Sequence, residues 1–291
     1  MILYHSMNTI TLKLNDNQIE QLRRVYKDNL IPNTNQYVLY TIKDENVTIT
    51  VYTSKKAVFQ GKDAHIYASG LMAKEKAMAG SDEVGTGDYF GPIIACACIV
   101  EEEDYSYLRS INVDDSKKIN DEYIMKIGPE LMSRLKHSLL ILNNKQYNEV
   151  HKTFNLNQIK AKLHNQAYIN MQNKGYKIPS AAYVDQFEEE SLYFKHLINE
   201  KEVYHRLTFE TKAESKYIAV ACASIIARYA FLRSIENLNN KYQFEFIKGA
   251  SDLVDEAAIN FVNKYGFDEL NNVAKIHFKN TEKVLEKIKK A

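Results

Sequence analysis

The amino-acid sequence predicts an α/β fold, in which a mixed sheet with helices on both faces follows a small, separate α+β unit. An apolar strand that begins at Ala77 leads into a glycine-rich turn and a second apolar strand over 93–100, which is the pattern of a hairpin. Predicted helices and strands alternate after this hairpin, and such alternation favours a sheet covered by helices. The residues before it show short strands in which apolar side chains recur at every second position.

The first unit is predicted over residues 1–71 as one curved antiparallel sheet with two helices. Asn15 followed by Gln18 is typical of a capping box at a helix N-terminus. Two alternating runs on either side of a polar turn predict a hairpin. The predicted elements are a strand at 10–14, a helix after Asn15, a hairpin made of 37–42 and 47–52, a strand at 57–60 and a helix over 64–73.

Lysine and aromatic side chains of this first unit are candidates for contacts with nucleic acid. Residues 1–74 hold nine Lys or Arg against six Asp or Glu, so this part of the chain is weakly basic. Lys55 and Lys56 lie at a predicted turn and would bind phosphates, while aromatic rings would stack on bases. The alternative is that the rings pack in the core and the lysines belong to a solvated turn. The rings concerned are those of Tyr37, Tyr40, Tyr52 and Phe59.

The second unit is predicted over residues 76–291. A small apolar run that ends at Asp185 is typical of a buried strand in a parallel sheet. The residues of 217–238 are small and apolar on nearly every side in their first half, which predicts a helix buried within the domain. The other predicted elements are strands at 139–142 and 203–209, a helix between Asn155 and Gly175, and helices over 253–264 and 281–290.

Four acidic residues lie where this unit would carry chemistry. Asp82 and Glu83 are consecutive in a strand, so their side chains point to opposite faces of the sheet unless the strand bends. Asp185 ends a strand, and the crevice beyond strand ends is the usual site of chemistry in α/β sheets. Taken singly, Asp185 could open a turn and Glu214 could complement the dipole of the following helix. Together the four acids are consistent with a site in which two divalent cations clamp a phosphate.

The turn Gly85-Thr86-Gly87 allows two interpretations. With Gly91 it loosely resembles a dinucleotide-binding fingerprint, but that motif requires a helix next, and Pro92 and a strand follow instead. The remaining functional interpretation is a close approach of the backbone to a nucleic-acid strand.

A polar loop over 114–118 supplies a second basic feature. Its adjacent lysines, Lys117 and Lys118, are suited to one or two phosphates. The alternative is an ordinary solvated surface loop.

Composition limits the class of protein. The formal net charge is only +1, so any binding of polyanions depends on local clusters of Lys and Arg. Cys96, Cys98 and Cys222 lie in apolar runs without zinc-ligand spacing, which predicts reduced core residues. The sequence shows no signal peptide and no apolar run near the ~20 residues of a membrane span. We therefore expect a soluble, cytoplasmic protein that does not bind membranes.

Four motifs in this order resemble the motif set of type 2 ribonucleases H, and they cover most of residues 77–284. Glu in place of Asp in KAESKY, the extra N-terminal unit and the closing HFKNTEKV at 277–284 resemble the ribonuclease HIII branch of that family. The four motifs are GSDEVGTGDYFGPI at 80–93, DSKKI at 115–119, YVDQF at 183–187 and KAESKYIAVACASIIAR at 212–228.

The resemblance implies a ribonuclease H-like catalytic domain behind a substrate-binding domain whose fold is like half of the TATA-binding protein. It implies hydrolysis of the RNA strand of an RNA/DNA hybrid with Mg²⁺ or Mn²⁺, which leaves 5′-phosphate and 3′-hydroxyl ends, by a protein expected to be a monomer. The implied catalytic and metal-binding acids are Asp82, Glu83, Asp185 and Glu214.

The resemblance also implies how the substrate is held. The turn of Gly85, Thr86 and Gly87 would contact sugar 2′-hydroxyls, the groups that distinguish RNA from DNA. Ser116, Lys117 and Lys118 would hold phosphate. Thr86 stands where the related ribonuclease HII branch often has Arg, which argues against a strict requirement for an RNA–DNA junction.

Two alternatives remain beside this interpretation. One is a hybrid-binding protein without catalytic activity, against which the presence of all four acids argues. The other is a different nuclease of the same superfold, such as a junction resolvase, against which the glycine turn and the N-terminal unit argue.

Overall fold

The computed structural model describes residues 9–71, 76–113 and 119–290. The chain divides into two compact units, Met1–Glu75 and Lys76–Ala291. Each unit contains a five-stranded sheet. The mixed α/β class predicted from the sequence is confirmed.

The N-terminal unit is an antiparallel sheet with its strands in the order β1-β5-β4-β3-β2. The predicted capping box is present, since Asn15 Oδ1 accepts the Gln18 N–H at 2.9 Å and Gln18 Oε1 accepts the Asn15 N–H at 2.9 Å. The elements are β1 (Thr9–Lys13), α1 (Asp16–Val25), β2 (Leu30–Ile31), β3 (Val38–Asp44), β4 (Val47–Tyr52), β5 (Lys56–Gln60) and α2 (Ala64–Ser69).

One face of this sheet packs against α1 and α2. Ile42, Ile49 and Phe59 are fully buried there against α1 and α2. Tyr40 is also buried, and its hydroxyl donates to the carbonyl of Ile19 at 2.6 Å. Two of the four aromatic candidates, Tyr40 and Phe59, therefore belong to the core, while Tyr37 is 63 % exposed.

The other face of the sheet carries threonines and lysines. Because side chains alternate along a strand, the register places these residues opposite the core face. All of them are at least partly exposed to solvent. They are Thr9, Thr11, Lys13, Lys43, Thr48, Thr50 and Lys56.

The second helix is shorter than predicted. The prediction extended it over 64–73, but α2 ends at Ser69. Gly70 follows, and glycine has a much lower helix propensity than the residues before it.

The C-terminal unit is built on a mixed sheet in the order β10-β9-β6-β7-β8. The pairs among β6, β7 and β8 are antiparallel, and β9 pairs in parallel with both β6 and β10. The elements are β6 (Met78–Val84), β7 (Ile93–Val100), α3 (Tyr105–Ser110), α4 (Asp121–Arg134), β8 (Lys136–Leu142), α5 (Asn144–His151), α6 (Leu156–Asn173), β9 (Ala182–Asp185), α7 (Glu190–His196), β10 (Thr208–Glu210), α8 (Ile218–Tyr242), α9 (Asp252–Tyr265), α10 (Leu270–Val273) and α11 (Lys279–Lys290).

Helices cover both faces of this sheet, as the sequence predicted. Cys96 and Cys98 of β7 pack on the side of α8, whereas Ala97 and Ile99 pack on the side of α6. The approach of α8 to β6 is close, because a Cβ on Gly80 would lie 2.4 Å from the backbone nitrogen of Val220. The three cysteines are buried and free, as predicted.

The expectation that no apolar run approaches the length of a membrane span does not hold for α8. Over an 18-residue stretch its mean hydropathy is 1.6, which by length and composition alone is enough to cross a membrane. In the structure 61 % of that stretch is buried inside the unit, as in the core helix of a folded domain.

The strand predicted over 203–209 is mostly wrong, since only Thr208–Glu210 pairs with β9. Side chains of α6 hold the preceding residues instead of a neighbouring strand. Asn165 Oδ1 accepts the N–H of Tyr204 at 2.9 Å, and the ring of Tyr204 stacks on Tyr168. The helix α4 was not predicted, because Gly128 and Pro129 interrupt its pattern.

Candidate active site

Asp82 and Glu83 lie near the C-terminal end of β6, and their side chains point to opposite faces of the sheet. Asp82 is hydrogen-bonded to Ser224 on α8. Glu83 is hydrogen-bonded to His164 on α6, on the other face. The strand therefore keeps its ordinary alternation here, as the two-residue period predicts.

Asp82 is a buried carboxyl group, and its hydrogen bonds only partly offset the cost of burying its charge. Its side chain accepts hydrogen bonds from Ser224 and from the backbone N–H of Glu83, the latter at 2.7 Å. Burial and then the charge of Glu83 raise the pKa of Asp82 to about 8. Without a cation, this site therefore favours a protonated Asp82 at neutral pH.

Glu83 is held by two partners from α6. Its Oε1 lies 2.5 Å from Lys160 Nζ, and its Oε2 lies 2.8 Å from His164 Nε2. The other ring nitrogen of His164 is hydrogen-bonded to Ser81 Oγ at 2.8 Å, and Lys160 Nζ lies 4.0 Å from the ring centre of Phe187. Burial alone would raise the pKa of Glu83, but His164 and Lys160 lower it below its usual value. Glu83 is therefore charged and firmly oriented.

Asp185 and Glu214 form a second acidic pair. Asp185 ends β9, and its Oδ1 accepts the N–H of Ala213 at 2.8 Å. Glu214 lies in the short turn before α8, beside Asp185. Burial raises the pKa of Asp185, and the charges of Glu214 and Glu83 add to this. Glu214 Oε2 is buried and has no hydrogen-bond partner among the described residues.

The chemistry of this donor set fits a hard divalent cation. The four side chains offer carboxylate oxygens, the ligands that Mg²⁺ and Mn²⁺ prefer. The unpartnered oxygen of Glu214 and the raised pKa values of Asp82 and Asp185 indicate carboxylates without enough positive charge around them. Among the residues that the structure describes, no three acidic, His or Cys side chains stand close enough to hold one ion together.

A cleft of about 400 Å³ joins two of the four acids, Glu83 and Glu214, to the glycine turn. Gly85 has a φ of +96°, and a Cβ there would lie 2.2 Å from the carbonyl oxygen of Pro92. Gly87 has open space where a side chain would be, which leaves the backbone of the turn accessible. The residues that line the cleft include Glu83, Gly85, Thr86, Gly87, Glu214, Ser224 and Arg228.

The predicted lysines of the N-terminal unit differ in their surroundings. Lys55 lies in the turn before β5, and its Nζ pairs with Asp16 Oδ2 at 2.8 Å. Lys56 is exposed on β5. Lys56 therefore lies on the uncovered face of the sheet, whereas Lys55 forms an exposed ion pair.

The predicted phosphate-binding loop cannot be placed. Ser116, Lys117 and Lys118 lie outside the described residues. Their proposed role stays a prediction from the sequence.

Sequence reasoning missed the partners that hold the acids. Lys160 and His164 are four residues apart on α6, a spacing that puts them on one face of a helix. They lie within a helix that was assigned only an apolar stripe. Ser224 lies in a motif quoted for its resemblance, but its contact with Asp82 depends on the packing of α8 against β6.

Comparisons with known proteins agree with this architecture. The model of the family described as Ribonuclease HII matches residues 79–281, and one described as a domain of unknown function matches residues 9–83. A ribonuclease HIII of Streptococcus mutans serotype c is 37 % identical over 303 residues, with 98 % of this chain and 100 % of the relative covered. A ribonuclease HIII of Bacillus cereus is 36 % identical, with 97 % and 99 % covered. The crystal structure of Bst-RNase HIII in complex with Mn²⁺ superposes with a TM-score of 0.71 at 33 % identity, covering 98 % of this chain and 100 % of that one.

Proposed function

Because this chain belongs to the ribonuclease HIII family and is a metal-dependent ribonuclease H, we propose that it cuts the RNA strand of RNA/DNA hybrids with two divalent cations. The proposed products carry 5′-phosphate and 3′-hydroxyl ends. The observation that carries the proposal is the set of four neighbouring carboxylates from β6, β9 and the turn before α8, two of which, Glu83 and Glu214, line a cleft together with the glycine turn.

In this proposal Asp82, Glu83, Asp185 and Glu214 hold the cations. When bound, two cations of this kind activate a water molecule and stabilise the leaving oxygen of the phosphodiester. Asp82 gives up its proton when a cation binds, since a ligand carboxyl must be ionised. Glu83 keeps its contacts with Lys160 and His164, because each carboxylate oxygen has a second lone pair for a ligand bond.

The choice of cation is part of the proposal. Oxygen ligands alone suit both Mg²⁺ and Mn²⁺. The crystal structure of Bst-RNase HIII was determined in complex with Mn²⁺, which supports Mn²⁺ as a competent ion here.

The N-terminal unit is proposed to hold the hybrid through the uncovered face of its sheet. Threonine hydroxyls and lysine ammonium groups on that face suit phosphate and sugar oxygens. They lie on adjacent paired strands, so their spacing is fixed by the sheet and not by flexible loops. Lys56 lies on this face, and the Lys55 side chain is 49 % exposed beside Asp16.

Substrate preference tests the proposal directly. We expect a continuous RNA/DNA hybrid to be cut at several RNA positions in Mn²⁺ or Mg²⁺, while matched RNA/RNA and DNA/DNA duplexes stay intact. The reason is that the exposed backbone of the glycine turn meets 2′-hydroxyls and that Thr86 does not supply the Arg of the related branch. Gel analysis of end-labelled duplexes measures this. Much faster cutting of a single embedded ribonucleotide than of the continuous hybrid would refute the assignment to this branch.

Removal of the N-terminal unit tests its role. A truncated protein that begins at Met72 is expected to fold, because residues 76–291 form a compact unit with its own core. Its affinity for hybrid should fall, and the slope of log affinity against log salt should become shallower as phosphate contacts are lost. Fluorescence anisotropy at several salt concentrations measures both. An unchanged affinity and slope would reduce the N-terminal unit to a structural appendage.

A further inference from the structure

Lys275 is a lysine without any exposed surface, between α10 and α11. Its Nζ donates to the carbonyl oxygens of Asp88 and Gly91, both at 2.6 Å. Those two carbonyls belong to the segment that leads from the glycine turn into β7. The amine of a residue near the C-terminus is thus bonded to the backbone beside the cleft.

The segment 88–91 is fixed at several backbone atoms. The N–H of Lys275 donates to the carbonyl of Tyr89 at 2.8 Å, and the N–H of Gly91 donates to the carbonyl of Val273 at 3.0 Å. Asn144 Nδ2 also donates to the carbonyl of Gly91, at 2.9 Å. These bonds fix the side of the turn that faces β7, while its other side continues directly from β6.

The amine of Lys275 is costly to bury. Burial lowers the pKa of Lys275 to about 7, only partly opposed by the carboxylate of Asp88. A methionine of similar length would avoid the cost of burying an amine, but it would leave the carbonyl of Asp88 without the donor that it has here. The nearby His277 gives no compensation, because burial, His151 and Lys275 lower its pKa to about 4.

Lys275 cannot touch the substrate itself. Its ammonium group is enclosed and is already bonded to two carbonyls. Any effect on the reaction must therefore pass through the backbone that it holds.

We propose that Lys275 is a positioning residue for RNA recognition, which fixes the turn of Gly85, Thr86 and Gly87 at a set distance from the acids on β6. The turn is then held at both ends: by β6, which carries Asp82 and Glu83, and by Lys275 through Asp88 and Gly91. This inference rests on the proposed function, since it assumes that the turn meets the RNA strand.

The test compares Lys275→Met with the wild type on two hybrids. One hybrid has a continuous RNA strand, and the other has single 2′-deoxy substitutions around the cut sites. The wild type should prefer the first. Lys275→Met should lower kcat/KM on the continuous hybrid by roughly 10–100-fold, the loss expected when a contact shifts by about 1 Å, and should reduce the preference between the two hybrids. Binding of Mn²⁺, measured by calorimetry, should stay within about twofold, because the acids are not held by this segment.

Two further variants separate positioning from stability. Lys275→Gln keeps two N–H donors without the charge, so it should recover part of the preference for continuous RNA. If the methionine variant does not fold, the glutamine variant tests whether Lys275 positions the turn. Asn165→Ala is the control, because it also removes a buried side chain that is hydrogen-bonded to the backbone. Asn165 donates to the carbonyl of Glu202 and accepts the N–H of Tyr204. It should leave the preference unchanged.

Each outcome has a distinct meaning. A methionine variant with wild-type kcat/KM and preference overturns the inference, as does a loss of preference in Asn165→Ala of the same size. A wild type that cuts neither hybrid in Mn²⁺ contradicts the proposed function instead.

Discussion

Asp185→Asn is expected to lower the rate of hybrid cleavage by more than about a hundredfold. Loss of a residue that only supports a metal ligand can already cost about a hundredfold, and Asp185 is a proposed ligand itself. The substitution removes one of the proposed negative ligands and keeps nearly the same shape. Asn Oδ1 can still accept the N–H of Ala213, so the turn before α8 keeps its anchor. Affinity for hybrid should be largely unchanged, because the substrate-binding surfaces are untouched.

The same variant should melt at the same or a higher temperature than the wild type in chelator. The pKa of Asp185 is raised in the folded protein, so the stability that this group contributes is present below its unfolded pKa and is lost as pH rises. Asparagine does not ionise, so the variant does not lose this stability as pH rises. The advantage of the variant in chelator should therefore grow as pH rises above the unfolded pKa of the carboxyl group, whereas added Mn²⁺ should stabilise the wild type more.

Thermal melts in chelator and in Mn²⁺, beside a cleavage assay, measure these effects. Glu149→Gln is a matched control, since it removes one carboxylate that is 72 % exposed in a surface pair with Lys152. It should cleave and melt like the wild type. An Asp185→Asn protein that melts clearly lower in chelator would assign Asp185 a structural role, and one that still cleaves would remove it from the mechanism.

Lys160→Met is expected to destabilise the metal-free protein by about 3 kcal/mol, the lower end of the cost of breaking a buried ion pair. The side chains of Lys160 and Glu83 are only 11 % and 9 % exposed, so the loss of Lys160 leaves a buried charge with His164 as its remaining partner. Methionine preserves packing on the ring of Phe187. For a unit of this size the melting temperature should fall by roughly 6–12 °C.

A double-mutant cycle with Glu83→Gln assigns this cost to the pair. Lys160→Met should destabilise the Glu83→Gln background much less than the wild type. Because the pKa of Glu83 is lowered in the fold, its contribution is present above its unfolded pKa and disappears as pH falls below it. The effect of Lys160→Met should accordingly shrink in acid. Equal destabilisation in both backgrounds would show that packing of the lysine stem, and not its charge, matters.

Local patterns were enough to predict the frame of this protein. The capping box at Asn15 is decided by residues three apart, and the structure contains it. The opposite directions of Asp82 and Glu83 follow from the period of a strand. The buried character of α8 follows from its composition.

The features that failed or were missed depend on contacts between distant segments. Residues 203–207 include Val and Tyr, which favour strands, but Asn165 and Tyr168 of α6 hold this segment outside the sheet. The link between Glu83 and Lys160 joins a strand to a helix that is distant in sequence, and nothing local indicates it. Lys275 is a similar case, because an isolated lysine near the C-terminus gives no sign that its amine is buried against Asp88 and Gly91.

The most direct test of the central claim is to follow the ends produced from a hybrid with labelled RNA, in chelator and in Mn²⁺. We expect no cleavage in chelator and, with Mn²⁺, fragments that carry 5′-phosphate and 3′-hydroxyl ends, because in the proposed mechanism the attacking group is a water molecule activated by cations at the four carboxylates. Cleavage in chelator would contradict the account because it would show that no metal site is needed. Fragments that end in a 2′,3′-cyclic phosphate would contradict it because they would show that the RNA 2′-hydroxyl, and not water, attacks the phosphate.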